Sequence, residues 1–331
     1  MTACCFRIRQ KRQARLSCAG TTMIEDIVFI SKIAMKSSVA VLFAALGEIY
    51  AERSGVLNLG VEGMMLVGAL CGVAAGLATG NVWLGVAGGM LAAGLFSLIH
   101  AFFSITLRVN QTLSGLALTI LGAGLASFLG RAYIGKAALR MKVWNVPYLH
   151  DIPVVGKIFF THTPLVYVAY VLLPLAAWVL LRTRTGLKIR AAGEDAGSAD
   201  AMGVNVVLLR YLCTFFGGCM AGLGGAYLSI AYTPGWKENM TMGQGWVAIA
   251  MVIFATWYPF RAFLGALLFG GLTALQFYFQ ATGIEVIPVN LLRMFPYLIT
   301  ILVLIVVMRL DKTRGRGGAP ASLGVPFSRE G

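Results

Sequence analysis

Charged residues are scarce. Asp, Glu, Lys and Arg together supply 12% of the 331 residues, against roughly 25% in soluble domains. With 58% apolar types, that excludes both an ordinary water-soluble globule and an intrinsically disordered chain. Histidine is scarcer still: only His100, His150 and His162 occur, with no HExxH and no paired His/Cys spacing, so neither a zinc site nor a nucleophile–histidine triad has support. The six cysteines include no CxxC pair and read as small packing residues. No GxxxxGKS or GxxxxGKT loop is present to cradle nucleotide phosphates, and Gly122-Ala-Gly124 lacks the third glycine of a dinucleotide loop. ATP hydrolysis by this chain alone is therefore not expected, nor is a metal, a cofactor of its own or any enzymatic activity.

Long apolar runs fill the space. The mean hydropathy is +0.80, and apolar stretches lie at about 27–46, 56–79, 82–107, 111–130, 163–181, 208–232, 244–258, 262–281 and 287–308. A bilayer-crossing helix needs about 20 apolar residues, so the length holds roughly nine spans and no separate soluble catalytic domain. The expected fold is an all-α polytopic membrane protein. Glycines at four-residue spacing, Gly68, Gly72, Gly76 and Gly80 or Gly218 and Gly222, let helix backbones approach closely where lipid gives no hydrophobic drive.

A net charge of +14 would suggest nucleic acid in a soluble protein. Here the basic residues sit between and beyond the apolar runs, which makes them a topology signal. The loop 182–210 carries Arg182, Arg184, Lys188, Arg190 and Arg210, and the segment after the last run carries Arg309, Lys312, Arg314 and Arg316; both are placed in the cytoplasm. The 131–162 connection, with Arg131, Lys136, Arg140, Lys142 and Lys157, then faces the opposite side despite its charge. Counting back through nine spans leaves the N-terminus outside, against the preference of Arg7, Arg9, Lys11, Arg12 and Arg15. Met23 opens a chain free of that basic cluster, so residues 1–22 read as a non-native or disordered basic extension, 23–310 as the transmembrane domain and 311–331 as a basic cytoplasmic tail.

The informative positions are polar ones amid apolar sequence. Between Gly47 and Gly63 four charges and several glycines join two apolar runs. A broken or re-entrant helix is expected there, a form tolerated at membrane depth only when buried in protein or lining a cavity. If the second run is helical, Asn58 and Glu62 share one face, and a carboxylate entering a span is by default a functional hypothesis. A local pairing of Glu62 with Arg53 stands beside that reading. In the loop 182–210, a short helix with acids at its front suits the positive end of a helix dipole and offers a docking element; a plain solvated loop is the alternative. Later runs contain Gln244, Trp246, Phe254, Trp257, Gln276, Phe277, Tyr278 and Phe279, aromatic and amide groups able to stack on and bond a flat heterocycle or sugar ring, or to anchor the membrane interface.

The runs GEIYAERSGVLNLGVEGMMLVGA, RTRTGLKIRAAGEDAGSADAMGVNV followed by AGLGGAYLS, and GWVAIAMVIFATWYP resemble the integral-membrane permease subunits of bacterial ABC importers in the branched-chain amino acid and ribose superfamily, nearest its nucleoside and simple-sugar branch. The likeness extends from about Met23 to Arg309. It implies a multi-pass protein of the bacterial inner membrane, surrounded by lipid, that pairs with a second, related permease. Such a subunit takes solute from an extracytoplasmic binding (lipo)protein and is driven by two cytoplasmic ATPase subunits, which use the ATP. It implies coupling to the ATPase through Gly193, Glu194, Asp195, Ala199, Asp200 and Gly203. The likeness also implies that Asn58 and Glu62 line or shape the substrate pathway, to which Asn110, Gln244, Trp246 and Phe254 are added as candidates from their polar and aromatic side chains. Few charges lie within the spans, so a neutral solute is expected, a nucleoside or simple sugar by the likeness. FATWYP departs from the branch, which often has glycine after the phenylalanine. A competing class is an ion-coupled secondary transporter with Glu62 as proton carrier; no inverted repeat supports it, and it leaves the loop helix without a purpose.

Overall fold

The computed structural model describes residues 2–136, 139–281 and 318–328, with scattered positions between 291 and 309, and side chains from Glu25 onward. Eleven helices dominate: α1 (Thr2–Arg53), α2 (Val61–Thr79), α3 (Val82–Ala101), α4 (Gln111–Gly130), α5 (Val155–Phe159), α6 (Pro164–Arg182), α7 (Arg184–Glu194), α8 (Ala196–Ala201), α9 (Val206–Ala226), α10 (Gln244–Phe254) and α11 (Pro259–Ala281). The only sheet among the described residues is a two-residue ribbon, β1 (Trp144–Asn145) antiparallel to β2 (Thr161–His162). It folds the 131–162 connection into a cap.

Among the described residues, seven helices are long and apolar enough to cross a membrane: Glu25–Arg53, Val61–Thr79, Val82–Thr106, Gln111–Tyr133, Pro164–Arg182, Val206–Tyr232 and Pro259–Ala281. The chain is thus an all-α, multi-pass membrane protein. The expected count of nine differs in two places. The run 287–308 lies largely outside the described residues. The run 244–258 is helical only over the 11 residues of α10, about 16 Å long against a hydrocarbon core of about 30 Å. It ends because Thr256 and Trp257 both take positive φ, 49° and 58°, turning the chain into Pro259 at the start of α11.

The bundle packs through its small residues. A Cβ on Gly68 would lie 2.4 Å from the Cα of Gly222, one on Gly89 2.4 Å from the carbonyl oxygen of Gly68, and one on Gly218 2.5 Å from Ser97 Cβ. Helices α2, α3 and α9 therefore meet backbone to backbone. Gly80 serves differently, as the left-handed cap of α2 with φ 68°. Around this triple contact Val39 to Leu46 of α1 are all within 1% of complete burial, which makes α1 the central post of the molecule.

Candidate functional site

Helix α1 stops at Arg53 and α2 starts at Val61, so the expected break is real and spans Ser54–Gly60. Unwound backbone inside a bundle strands N–H and C=O groups that must find partners. They do, on several helices at once. Glu48 Oε1 accepts from Asn58 N (3.1 Å), Gln111 Oε1 accepts from Leu57 N (2.7 Å), and Thr119 Oγ1 donates to Leu59 O (2.8 Å). His100 Nε2 lies 3.1 Å from Leu57 O and its Nδ1 3.0 Å from Ser114 Oγ. Because a carbonyl can only accept, Nε2 carries the proton and Nδ1 accepts from the serine. Arg210 Nε donates to Ser54 O at 3.0 Å.

Asn58 sits in this break and not on α2. Its Oδ1 accepts from Gly60 N at 2.9 Å, a side-chain turn that competes with helix, so Asn58 and Glu62 do not share a helical face. Glu62 opens α2 and is 5% exposed. It does not pair with Arg53; it reaches instead to the start of α10, accepting from Thr241 Oγ1 (2.5 Å), Gly243 N (2.9 Å) and Gly245 N (2.6 Å). A carboxylate at the positive end of a helix satisfies donors that no intrahelical carbonyl can reach. Glu62 is thus the cap of a half-length helix lent by a neighbour.

Gln244 and Trp246 stand at the start of α10 that Glu62 caps, whereas Phe254 is at its far end. Gln244 Oε1 is buried with no hydrogen-bond partner, Trp246 is 40% exposed, and Phe254 lies where a Cβ on Gly265 would touch its ring at 2.9 Å. Asn110 is not among them: exposed, it caps α4 by accepting from Leu113 N at 3.1 Å. Trp257 is no interface anchor; it is 6% exposed and its Nε1 donates to Glu52 Oε2 at 2.5 Å. Tyr278 OH bonds Asp26 Oδ2 at 3.0 Å, tying α11 to α1. Sequence reasoning marked the stretch holding Glu48 and Glu52 without giving either a role, and gave none to His100, Gln111 or Thr119; the available signal was polar side chains inside apolar runs.

The loop 182–210 is two helices and a hinge. Thr183 Oγ1 caps α7 by accepting from Gly186 N (3.1 Å), and Asp195 caps α8 by accepting from Ser198 N (3.1 Å) and from Ser198 Oγ (2.5 Å). Those bonds hold the Asp195 carboxyl below the usual carboxylate range. Ala199 lies on the buried face of α8. Gly203 (φ 82°) ends it, its N–H reaching Asp200 O at 2.9 Å and that of Val204 reaching Ala199 O at 3.0 Å, the paired bonds of a Schellman stop. This elbow sits directly on the end of α1: a Cβ on Gly193 would lie 2.2 Å from Arg53 O, and Arg53 Nη1 lies 3.9 Å from Glu194 Oε1. All six expected coupling residues therefore fall in one compact element.

Toward the other end of α1, a cavity of about 240 Å³ is lined by Lys36, Arg140, Thr163, Tyr232 and Phe277. Beside it His162 is fully buried, donating from Nε2 to Ile158 O at 2.6 Å. Burial pushes its imidazole down to about 4, with the charges of Lys36 and Lys32 adding to the effect.

A half-helix capped across the bundle, a broken span and an external elbow are features of transport rather than catalysis. Comparison with known proteins agrees. The chain is 40% identical over 318 residues to a putative glucose ABC transporter permease protein of Haloferax volcanii, covering 89% of this chain and 96% of that one. It is 36% identical to a nucleoside ABC transporter permease protein of Lactococcus lactis (88% and 93% covered) and 35% identical to a guanosine ABC transporter permease protein of Bacillus subtilis (91% and 98% covered). No solved structure matches it. Residues 29–304 match the family described as branched-chain amino acid transport system, permease component, and the chain belongs to that family.

Proposed function

We propose that the chain is the membrane-spanning permease subunit of an ATP-driven importer of the bacterial inner membrane, moving a small neutral ring solute, a nucleoside or a simple sugar, into the cytoplasm. The observation that carries the reading is the elbow. Helices α7 and α8 stand outside the bundle, yet Gly193 and Glu194 at the end of α7 touch Arg53, the residue next to the break that α3, α4 and α9 hold in place. A partner that moves α8 moves the broken span. The partners are two cytoplasmic ATPases, a second permease and an extracytoplasmic binding (lipo)protein.

Within the bundle, the groups free to meet solute are on α10: Gln244 with its unpartnered carbonyl oxygen and Trp246 with its exposed ring. Asn58 and Glu62 shape the pathway by holding the break and the half-helix in place. The 240 Å³ cavity on the far side offers Lys36, Arg140, Thr163 and Tyr232 as polar partners for hydroxyl groups and Phe277 as an apolar wall, suiting a solute released from outside.

The test is reconstitution of the complete importer in vesicles with labelled nucleosides, pentoses and hexoses. Uptake that needs ATP and the ATPase subunits is expected, and sustained uphill accumulation by this chain alone would overturn the reading. Charge reversal at the elbow, Glu194→Lys with Asp200→Lys, should abolish solute-stimulated ATP hydrolysis while the permease stays in the membrane. For α10, Trp246→Ala should raise the half-saturating solute concentration about tenfold, the loss of one stacked aromatic.

A further inference from the structure

The charge pattern describes the C-terminal stretch only as a basic tail, but residues 318–328 are built into the protein. Ser322 N donates to Gly193 O (2.8 Å), Ser322 Oγ to Glu194 O (3.2 Å), and Ala321 N to Glu194 Oε2 (3.4 Å). Gly324 N donates to Gly55 O (3.2 Å), and Arg210 Nη1 donates to Val325 O (3.3 Å). Between these anchors the strap makes its own turns, Leu323 N to Pro320 O at 3.0 Å and Val325 N to Ser322 O at 3.1 Å. Two side chains seat it. Leu323 packs against the main core, and Phe327 against the cluster of Ala192, Ala196, Ala199 and Val206 beneath the elbow.

Arg210 shows how tightly the strap belongs. It is 2% exposed, and its guanidinium donates to two carbonyls, Ser54 O from the break and Val325 O from the strap. A buried guanidinium is costly unless its donors are used, so the strap supplies part of what lets Arg210 hold the break. Elbow, strap and break are fastened to one another around this side chain.

On the outer side, elbow and strap enclose an open cavity of about 730 Å³. Asp195, Gly197 and Asp200 line it from the elbow and Val325, Pro326 and Phe327 from the strap, with the buried Arg210, already engaged by the Ser54 and Val325 carbonyls, also in its lining. Asp195 is exposed and ionised, and Val325 is 53% exposed. A specific protein interface buries about 800 Å² on each partner. Helix α8, with six residues, is about 9 Å long and too small to supply that alone.

We propose that residues 318–328 form the second half of the surface on which the cytoplasmic ATPase docks. The elbow and the strap together make a socket for a segment of the ATPase that presents a basic side chain flanked by apolar ones. The acidic wall takes the charge, the apolar wall takes its neighbours, and the strap's anchors on Gly55 and Arg210 pass the motion to the break as well as to α1. This inference rests on the importer reading.

The test uses the complete importer purified in detergent, with Val325→Asp and a deletion of 318–331. The side chain of Val325 lies outside the strap's anchors, so Val325→Asp leaves the seat intact and decides the matter even if the deleted chain fails to accumulate. Expected for Val325→Asp is an affinity for the ATPase subunit about tenfold weaker at unchanged permease level, with loss of solute-stimulated hydrolysis in proportion. Parental affinity in both variants, or tighter ATPase binding after deletion, would overturn the proposal. Where the elbow reversal at Glu194 and Asp200 abolishes coupling but Val325→Asp does not, the strap alone is excluded. Where neither has any effect, the importer reading falls with it.

Discussion

Glu62 makes a choice between roles testable at a single residue. As a cap it accepts three hydrogen bonds from the start of α10; as a proton carrier it would have to release them in every cycle. Glu62→Ala strands two buried N–H groups at about 1–3 kcal/mol each, so the purified protein should lose thermal stability and α10 its fixed start. Glu62→Gln keeps one acceptor oxygen and should fall between the two in both melting temperature and ATP-driven uptake. Abolished uptake with an unchanged melting temperature in the glutamine variant would point to proton coupling instead. His162 yields a second residue-scale prediction. Its imidazole sits at about 4 when folded, against 6.5 for the ordinary side chain, so the unfolded chain takes up the proton first as pH falls. Stability of the cap is therefore full above about pH 6.5 and declines from there toward about pH 4. Melting temperature followed against pH should show that slope, and His162→Gln should flatten it.

At the scale of elements, Gly193 has no room for a side chain, because a Cβ would meet the Arg53 carbonyl. Gly193→Ala should lift α7 and α8 off α1 and lower solute-stimulated ATP hydrolysis while leaving the spans in the membrane; an alanine variant with parental stimulation would show that the elbow acts without that contact. The elbow was legible in the sequence because its cues are local: Thr183 and Asp195 as caps, Gly203 as the stop. The break at Ser54–Gly60 was legible for the same reason, as a cluster of glycine and charge amid apolar residues. Helix α10 was not. Its run of apolar residues through Tyr258 reads as a span, and nothing in periodicity reveals that Thr256 and Trp257 take positive φ or that the helix start is capped by Glu62, some 180 positions away. For Asn58 the apolar residues around it suggested helix, but the asparagine's own tendency to form a turn prevailed.

Across the whole molecule, the break is where separate helices share one peptide. His100 from α3 donates to the Leu57 carbonyl and Gln111 from α4 accepts from the Leu57 N–H, while Glu48 from α1 holds the next residue's N–H. Water cannot replace these partners at membrane depth, so losing one leaves the peptide tilted and weakens the other. The single variants His100→Leu and Gln111→Leu should each destabilise the protein, and the double variant should cost less than their sum, by about 0.5–3 kcal/mol of coupling. Thermal or denaturant unfolding of the four proteins in one detergent measures that difference. Strict additivity would mean that the two side chains act independently and that the break is pinned elsewhere. Non-additivity would identify Leu57 as a common joint, the property a span needs if motion at the elbow is to reach α3 and α4 together rather than bending α1 alone.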